Sequence, residues 1–142
     1  MQRRHFLSWL LKSAWVTVGF AGLASLPYFY HSQKEGPLQF VKATDEENIP
    51  RRGVRQVEVS LAGMSRKVFL VKKGKELFVL SPTCSHLGCL VNWNHLTQEF
   101  DCPCHGGRYD MAGNVIGGPP PKPLTRLPYV IKEGFLYVGM RA

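Results

Sequence analysis

The chain has 142 residues, 44% of them hydrophobic, with a formal net charge of +8, 14 Gly, 10 Pro and 4 Cys. That length is about one domain and excludes an enzyme with separate cofactor and substrate domains, while the Gly and Pro content favours a turn-rich β domain over a helical bundle. The average hides a split: the first 30 residues contain no Asp or Glu and read as a membrane or targeting segment, leaving roughly 100 residues for one small core.

The chain opens Met1-Gln2-Arg3-Arg4-His5-Phe6-Leu7, with Lys12 ahead of a mostly apolar run from Ser13 to Tyr30. Those 18 residues rise about 27 Å as a helix, near the hydrocarbon thickness of a bilayer. Extension back to Trp9 gives about 33 Å, with Lys12 close enough to one end to snorkel. Trp9, Tyr28 and Tyr30 sit where interfacial aromatics belong. Arg3, Arg4 and Lys12 place the N-terminus in the cytoplasm by the positive-inside rule. A cleaved signal peptide is the alternative, with Gly22-Leu23-Ala24 as a small-x-small site. The apolar run continues past it into Leu26-Pro27-Tyr28-Phe29-Tyr30, which favours an uncleaved single-pass anchor. The Arg3-Arg4-His5-Phe6-Leu7 run also resembles a twin-arginine export signal, whose pathway carries proteins already folded around cofactors. The expected location is a bacterial cytoplasmic membrane, with the rest of the chain on its outer side.

Residues 31–50 are polar, with Gly36-Pro37 and the acidic cluster Asp45-Glu46-Glu47, and read as a flexible linker and domain entry. Leu38-Gln39-Phe40-Val41 fits a first strand. From residue 51 to 142 the pattern is short strands: Val54, Val57 and Val59 in one run, then Val68-Phe69-Leu70-Val71, then Leu77-Phe78-Val79-Leu80 ended by Ser81-Pro82. Tyr129-Val130-Ile131 and Phe135-Leu136-Tyr137-Val138 flank Glu133-Gly134, a hairpin turn. The expected fold is all-β and antiparallel, interrupted over about residues 82–123 by a loop-rich insert. Residues 51–142 carry 13 Lys+Arg against 6 Asp+Glu, a net +7. The basic residues are scattered, without an aromatic-interleaved stripe, so no nucleic-acid partner is expected.

All four Cys fall within 21 residues, in Cys84-Ser85-His86-Leu87-Gly88-Cys89 and Cys102-Pro103-Cys104-His105-Gly106-Gly107-Arg108-Tyr109. Each cluster offers Cys and His at ligand spacing. Three chemistries use such groups. Tetrahedral zinc favours Cys-x-x-Cys pairs, and neither cluster has that spacing. A Cys–His protease leaves three Cys without a role. A 2Fe–2S cluster held by two Cys and two His leaves two Cys, a pair that a disulfide takes up in an exported domain. His5, His31 and His95 show no partner pattern and read as structural or solvated.

The two clusters resemble the Rieske iron–sulfur signature, Cys-x-His-x-Gly-Cys followed by Cys-x-Cys-His-Gly, in which two His ligate one of the two irons. The resemblance covers about residues 50–140. Gly117-Gly118-Pro119-Pro120-Pro121 resembles the family's proline-rich loop. The resemblance implies a small loop-rich cluster-binding subdomain and one 2Fe–2S cluster. Cys84 and Cys102 would hold one iron, His86 and His105 the other through Nδ1, and Cys89 and Cys104 would form a disulfide between the loops. Tyr109 matches a tyrosine whose hydroxyl donates to a ligating cysteine, here Cys84. Leu87 matches the residue that shields the cluster, and Pro119 and Pro120 would lie beside it. Gly107 departs from the many high-potential members that carry Ser, a donor to a bridging sulfide. Its absence implies a lower potential, by roughly 60–130 mV if one charge-assisted bond is lost.

The best match is the Rieske subunit of a cytochrome bc or b6f-type quinol-oxidising complex, an electron-transfer subunit without covalent catalysis of its own. The resemblance implies partners in a cytochrome b subunit, quinol, a c-type cytochrome acceptor and the lipid bilayer, within a dimeric membrane complex. His105, with His86, would contact quinol and accept its proton. The lower potential favours menaquinol over ubiquinol. The rival assignment is the Rieske subunit of another exported oxidoreductase, such as arsenite oxidase.

Overall fold

The computed structural model describes residues 3–31 and 36–141. It divides into two compact units, one reaching to Gly36 and the other running from Pro37 to the C-terminus. The first holds helix α1, Arg3–His31. Within it, the 24 residues His5–Tyr28 have a mean hydropathy of 1.3, long and apolar enough to cross a membrane. The Ser and Thr side chains there are self-satisfied. Ser8, Ser13, Thr17 and Ser25 each donate to the carbonyl three residues back, at 2.7–2.9 Å, so these hydroxyls do not enter hydrocarbon unbonded. Of residues 31–50, read as a flexible linker and domain entry, 32–35 lie outside the described residues, as do Met1, Gln2 and the side chain of Tyr30, whereas Leu38–Asp45 is a strand of the second unit.

The second unit is antiparallel β, as expected, in three sheets. The first pairs β1 (Leu38–Asp45), β11 (Phe135–Arg141) and β10 (Tyr129–Lys132) in the order β1-β11-β10. The second runs β2 (Gly53–Leu61), β3 (Met64–Lys73), β4 (Glu76–Leu80), β9 (Arg126–Leu127). The third, inside the stretch read as loop-rich, runs β5 (Asn92–Asn94), β6 (Glu99–Cys102), β7 (Gly107–Tyr109), β8 (Val115–Gly117). Three-residue strands carry too little alternation to stand out from sequence. The first strand is longer than Leu38–Val41 and pairs along its length with the C-terminal β11. The Glu133-Gly134 turn has φ of 54° and 78°, the double positive φ of a two-residue hairpin.

The unbroken apolar run of β3 has a simple cause: the middle sheet is buried on both faces. Val68 and Leu70 point into one core with Val59, Leu61, Val79, Leu136 and Val138. Phe69 and Val71 point into the other, with Phe78, Leu80, Phe100, Tyr109 and Leu124. A period-two strand between two apolar layers has no polar face to alternate with. The second core is keyed by aromatic contacts. The Phe100 ring centroid lies 4.8 Å from Phe69 and 4.7 Å from Trp93, tilted in both pairs. Burying each such ring stabilises the fold by about 1.5–3 kcal/mol. Cys84 and Cys102 belong to this same core, so the candidate ligands are rooted in packed structure.

Candidate metal centre

Two loops carry the Cys/His clusters. The first leaves β4 and closes on itself: Cys84 N–H donates to Cys89 O at 2.8 Å, Gly88 N–H to Cys84 O at 3.0 Å, and Val91 N–H to Pro82 O at 2.8 Å. Gly88, with φ 77°, takes the left-handed turn that its position demands. The second is the turn between β6 and β7, held by the Cys102–Gly107 register pair and by Gly106 N–H donating to Cys102 O at 3.1 Å. A disulfide joins Cys89 of the first loop to Cys104 of the second.

Cys84 and Cys102 remain free thiols, 2% and 4% exposed. The His86 and His105 rings meet edge to face, their centroids 4.9 Å apart at 89°. His105 is exposed and His86 half-buried. Among the described residues, the one buried side-chain nitrogen or oxygen without a hydrogen-bond partner is His86 Nδ1. An unpaired buried imidazole nitrogen is costly in a finished core and is what a metal ligand looks like without its ion. Two buried thiols, two adjoining imidazoles and that orphaned Nδ1 fit a cluster with mixed sulfur and nitrogen ligands.

Tyr109, fully buried, organises the base of the site. Its hydroxyl accepts from Ser85 N–H at 3.2 Å and stands 3.1 Å from Cys84 Sγ. A deprotonated Cys84 can only accept, so the phenol is the donor of this pair whenever Cys84 is a ligating thiolate. Burial alone would raise the Cys84 thiol. Hydrogen bonds from Tyr109, the His86 backbone, Cys102 and the Leu87 backbone outweigh it and hold the thiol below its ordinary range. Tyr109 moves the other way, pushed up by burial and by its bond to Cys84.

A third loop packs on the second. Gly118 has φ 83°, and a Cβ there would stand 2.5 Å from Gly106 O and 2.8 Å from Gly107 Cα. The backbones touch, so only glycine fits. Pro120 is buried and Pro119 exposed. A Cβ on Gly107 would lie 2.6 Å from Pro120 Cγ: the ring occupies the space that a Gly107 side chain would need. Leu87, 69% exposed, projects an apolar tip beside His86.

Sequence reasoning missed Ser85. Its hydroxyl donates to Lys122 O at 2.6 Å, accepts from Lys122 N–H at 3.3 Å, and lies 3.4 Å from the Tyr109 hydroxyl. It fastens the first loop to the stretch that follows the prolines. The available signal was its place between two ligand candidates, where a small hydroxyl residue is a local hydrogen-bonding group. His95 stands edge-on to Trp93, with centroids 6.2 Å apart.

A family model described as the Rieske [2Fe-2S] domain matches residues 39–128. The chain is 35% identical over 153 aligned positions to the menaquinol:cytochrome c reductase iron-sulfur subunit of Bacillus subtilis (strain 168), covering 98% of this chain and 92% of that protein. It is 50% identical over 60 residues to the cytochrome b6-f complex iron-sulfur subunit of Chlorobaculum thiosulfatiphilum, covering 42% of this chain and only 33% of the relative. Among solved structures, a hyperthermophilic respiratory Complex III chain is similar at 28% identity and a TM-score of 0.49, covering 93% of this chain and 98% of that one.

Proposed function

This chain belongs to the Rieske [2Fe-2S] domain family, and from that premise we propose that it is the iron–sulfur subunit of a bc-type quinol-oxidising complex. In this reading it passes electrons from quinol, menaquinol by preference, to a c-type cytochrome. The observation that carries it is the donor set: two buried free thiols and two adjoining imidazoles, one with an orphaned Nδ1, on loops tied by a disulfide. The near full-length likeness to a menaquinol:cytochrome c reductase subunit supports the choice of complex and of quinol.

In this reading Cys84 and Cys102 hold one iron of the cluster, and His86 and His105 the other. When bound, the cluster supplies a one-electron couple at a raised potential. The chain supplies the rest. His105, exposed, offers its imidazole to a quinol hydroxyl and takes up the proton, with His86 as the second imidazole. Leu87 gives the tip an apolar contact that excludes water around His86. Tyr109 donates to Cys84, favouring added negative charge at the sulfur. Pro119 and Pro120, with Gly107 beneath, close the other flank. Cytochrome b, the cytochrome acceptor and the bilayer are its partners in a dimeric complex. Residues 1–30 anchor the chain in a bacterial cytoplasmic membrane, with the N-terminus in the cytoplasm and the head on the outer side. Residues 31–50 lead from the anchor into the head.

EPR of the reduced membrane fraction, with and without a quinol-site inhibitor, tests this. The expected result is a Rieske signal that the inhibitor shifts, with b-type haem co-purifying. An inhibitor-insensitive signal accompanied by molybdenum would move the chain to another exported oxidoreductase of the arsenite oxidase kind.

A further inference from the structure

Three sulfurs crowd one spot in this fold. The Sγ atoms of Cys89, Cys102 and Cys104 all lie within 4.8 Å of one another. Two are joined as a disulfide and the third is a free, buried thiol. Thiol–disulfide exchange requires an attacking thiolate and a reachable sulfur, and no external oxidant. The clustering of the three sulfurs supplies the reachable sulfur, and loss of the Cys102 proton supplies the thiolate.

We propose that Cys102 is the attacking thiol of a built-in exchange, released when the cluster is lost. In the cluster-free chain it displaces Cys104 from Cys89, giving a Cys89–Cys102 disulfide and a free Cys104. The balance is closed. The Cys102 thiol gives its proton to solvent, the Cys89–Cys104 bond breaks, the Cys89–Cys102 bond forms, and the departing Cys104 thiolate takes up a proton. One disulfide and two thiols stand on each side.

The direction of attack follows from burial. Cys104 is exposed and Cys89 half-buried, so a thiolate leaving from Cys104 is solvated at once, whereas one leaving from Cys89 is not. Attack on Cys104 itself would close a disulfide across Pro103 alone, inside the turn that the Gly106 N–H to Cys102 O bond shapes. Loop closure does not decide between the two disulfides that include Cys89. The separations are 15 for the Cys104 pair and 13 for the Cys102 pair, nearly equal in chain entropy. What changes is the position of the free thiol, which moves from the core to the surface. The exchanged chain has lost one candidate ligand and displays a surface thiol, so cluster loss is written into the covalent structure until a dithiol reductant resets it.

The inference rests on the reading of Cys102 as a cluster ligand, and the experiment separates the two. Full-length protein in detergent is held anaerobically, with and without removal of iron by a chelator. Free thiols are then trapped with N-ethylmaleimide under acid-quenched denaturing conditions, and linked peptides are mapped by mass spectrometry. The loaded protein should carry label on Cys84 and Cys102. The stripped protein should carry it on Cys84 and Cys104, with at least about a tenfold rise at Cys104. A stripped chain that keeps only the Cys89–Cys104 linkage overturns the proposal. So does one in which Cys84 enters disulfides as often as Cys102, since that is reshuffling of an unfolded chain. In Cys102→Ser the Cys104 label should stay at its loaded level after stripping. Iron and labile sulfide in Cys102→Ser test the ligand reading by themselves: full occupancy removes that reading, and the stripped wild-type map still decides the exchange.

Discussion

The Tyr109 hydroxyl stands 3.1 Å from Cys84 Sγ while accepting from Ser85 N–H at 3.2 Å. The phenol thus links the backbone of the first loop to one sulfur of the site, and it is the donor to that sulfur when Cys84 is a thiolate. Tyr109→Phe keeps the ring in the core and removes the bond. A hydrogen bond to a charged group contributes about 1.5–3 kcal/mol, and about 59 mV corresponds to 1.4 kcal/mol for a one-electron couple. Only the difference between oxidised and reduced forms counts, so the midpoint should fall by several tens of millivolts, on the order of 60 mV. Redox titration with unchanged iron content checks it; an unmoved midpoint contradicts the donor role.

The same pair gives the cluster-free chain a signature against pH, best measured in a Cys102→Ser background that cannot exchange. Cys84 is held below its unfolded value. The unfolded state therefore binds more protons in that window, and stability rises with pH up to about the unfolded thiol value of 8.5. It is lost as pH falls through the folded value. Tyr109 is raised, so stability falls again as pH climbs from about 10 through the folded phenol value. Urea midpoints across this range should rise and then drop. Tyr109→Phe should flatten both limbs, and a profile parallel to the wild type would contradict the pairing.

Two glycines separate backbone strain from close approach. Gly88 and Gly118 both have positive φ, but a Cβ at Gly88 meets nothing within 4 Å whereas one at Gly118 meets Gly106 O and Gly107 Cα. Gly88→Ala should cost only the left-handed conformation, about 1–2 kcal/mol. Gly118→Ala adds a backbone collision that forces the third loop off the second. Its melting temperature should fall further, with cluster content well below that of Gly88→Ala. Equal losses in the two variants would show that the loop contact carries no weight.

From sequence, Gly107→Ser is expected to add a donor and raise the midpoint. The buried Pro120 ring stands in the way, with Cγ 2.6 Å from the required Cβ. Overpacking of this kind costs about 1–3 kcal/mol. The single variant should therefore lose iron content and thermal stability instead of gaining potential. Gly107→Ser with Pro120→Ala should recover occupancy and only then show a higher midpoint. A stable, fully loaded single variant with a raised midpoint would mean that Pro120 yields easily.

What the sequence determined by itself is what local spacing encodes. Cys84 to Cys89 and Cys102 to Tyr109 carry their donors within eight residues, so ligand chemistry can be read without knowing the fold. Alternation and turn residues likewise placed the longer strands and the Glu133-Gly134 hairpin. Only the tertiary structure decided how distant segments meet. Ser85 reaches Lys122 across 37 positions, Pro120 fills the place beside Gly107, β1 pairs with β11, and Cys102 lies beside the Cys89–Cys104 disulfide. A residue's own chemistry is fixed by its side chain, but its partner at long range is set by packing of the two cores, which no local pattern specifies.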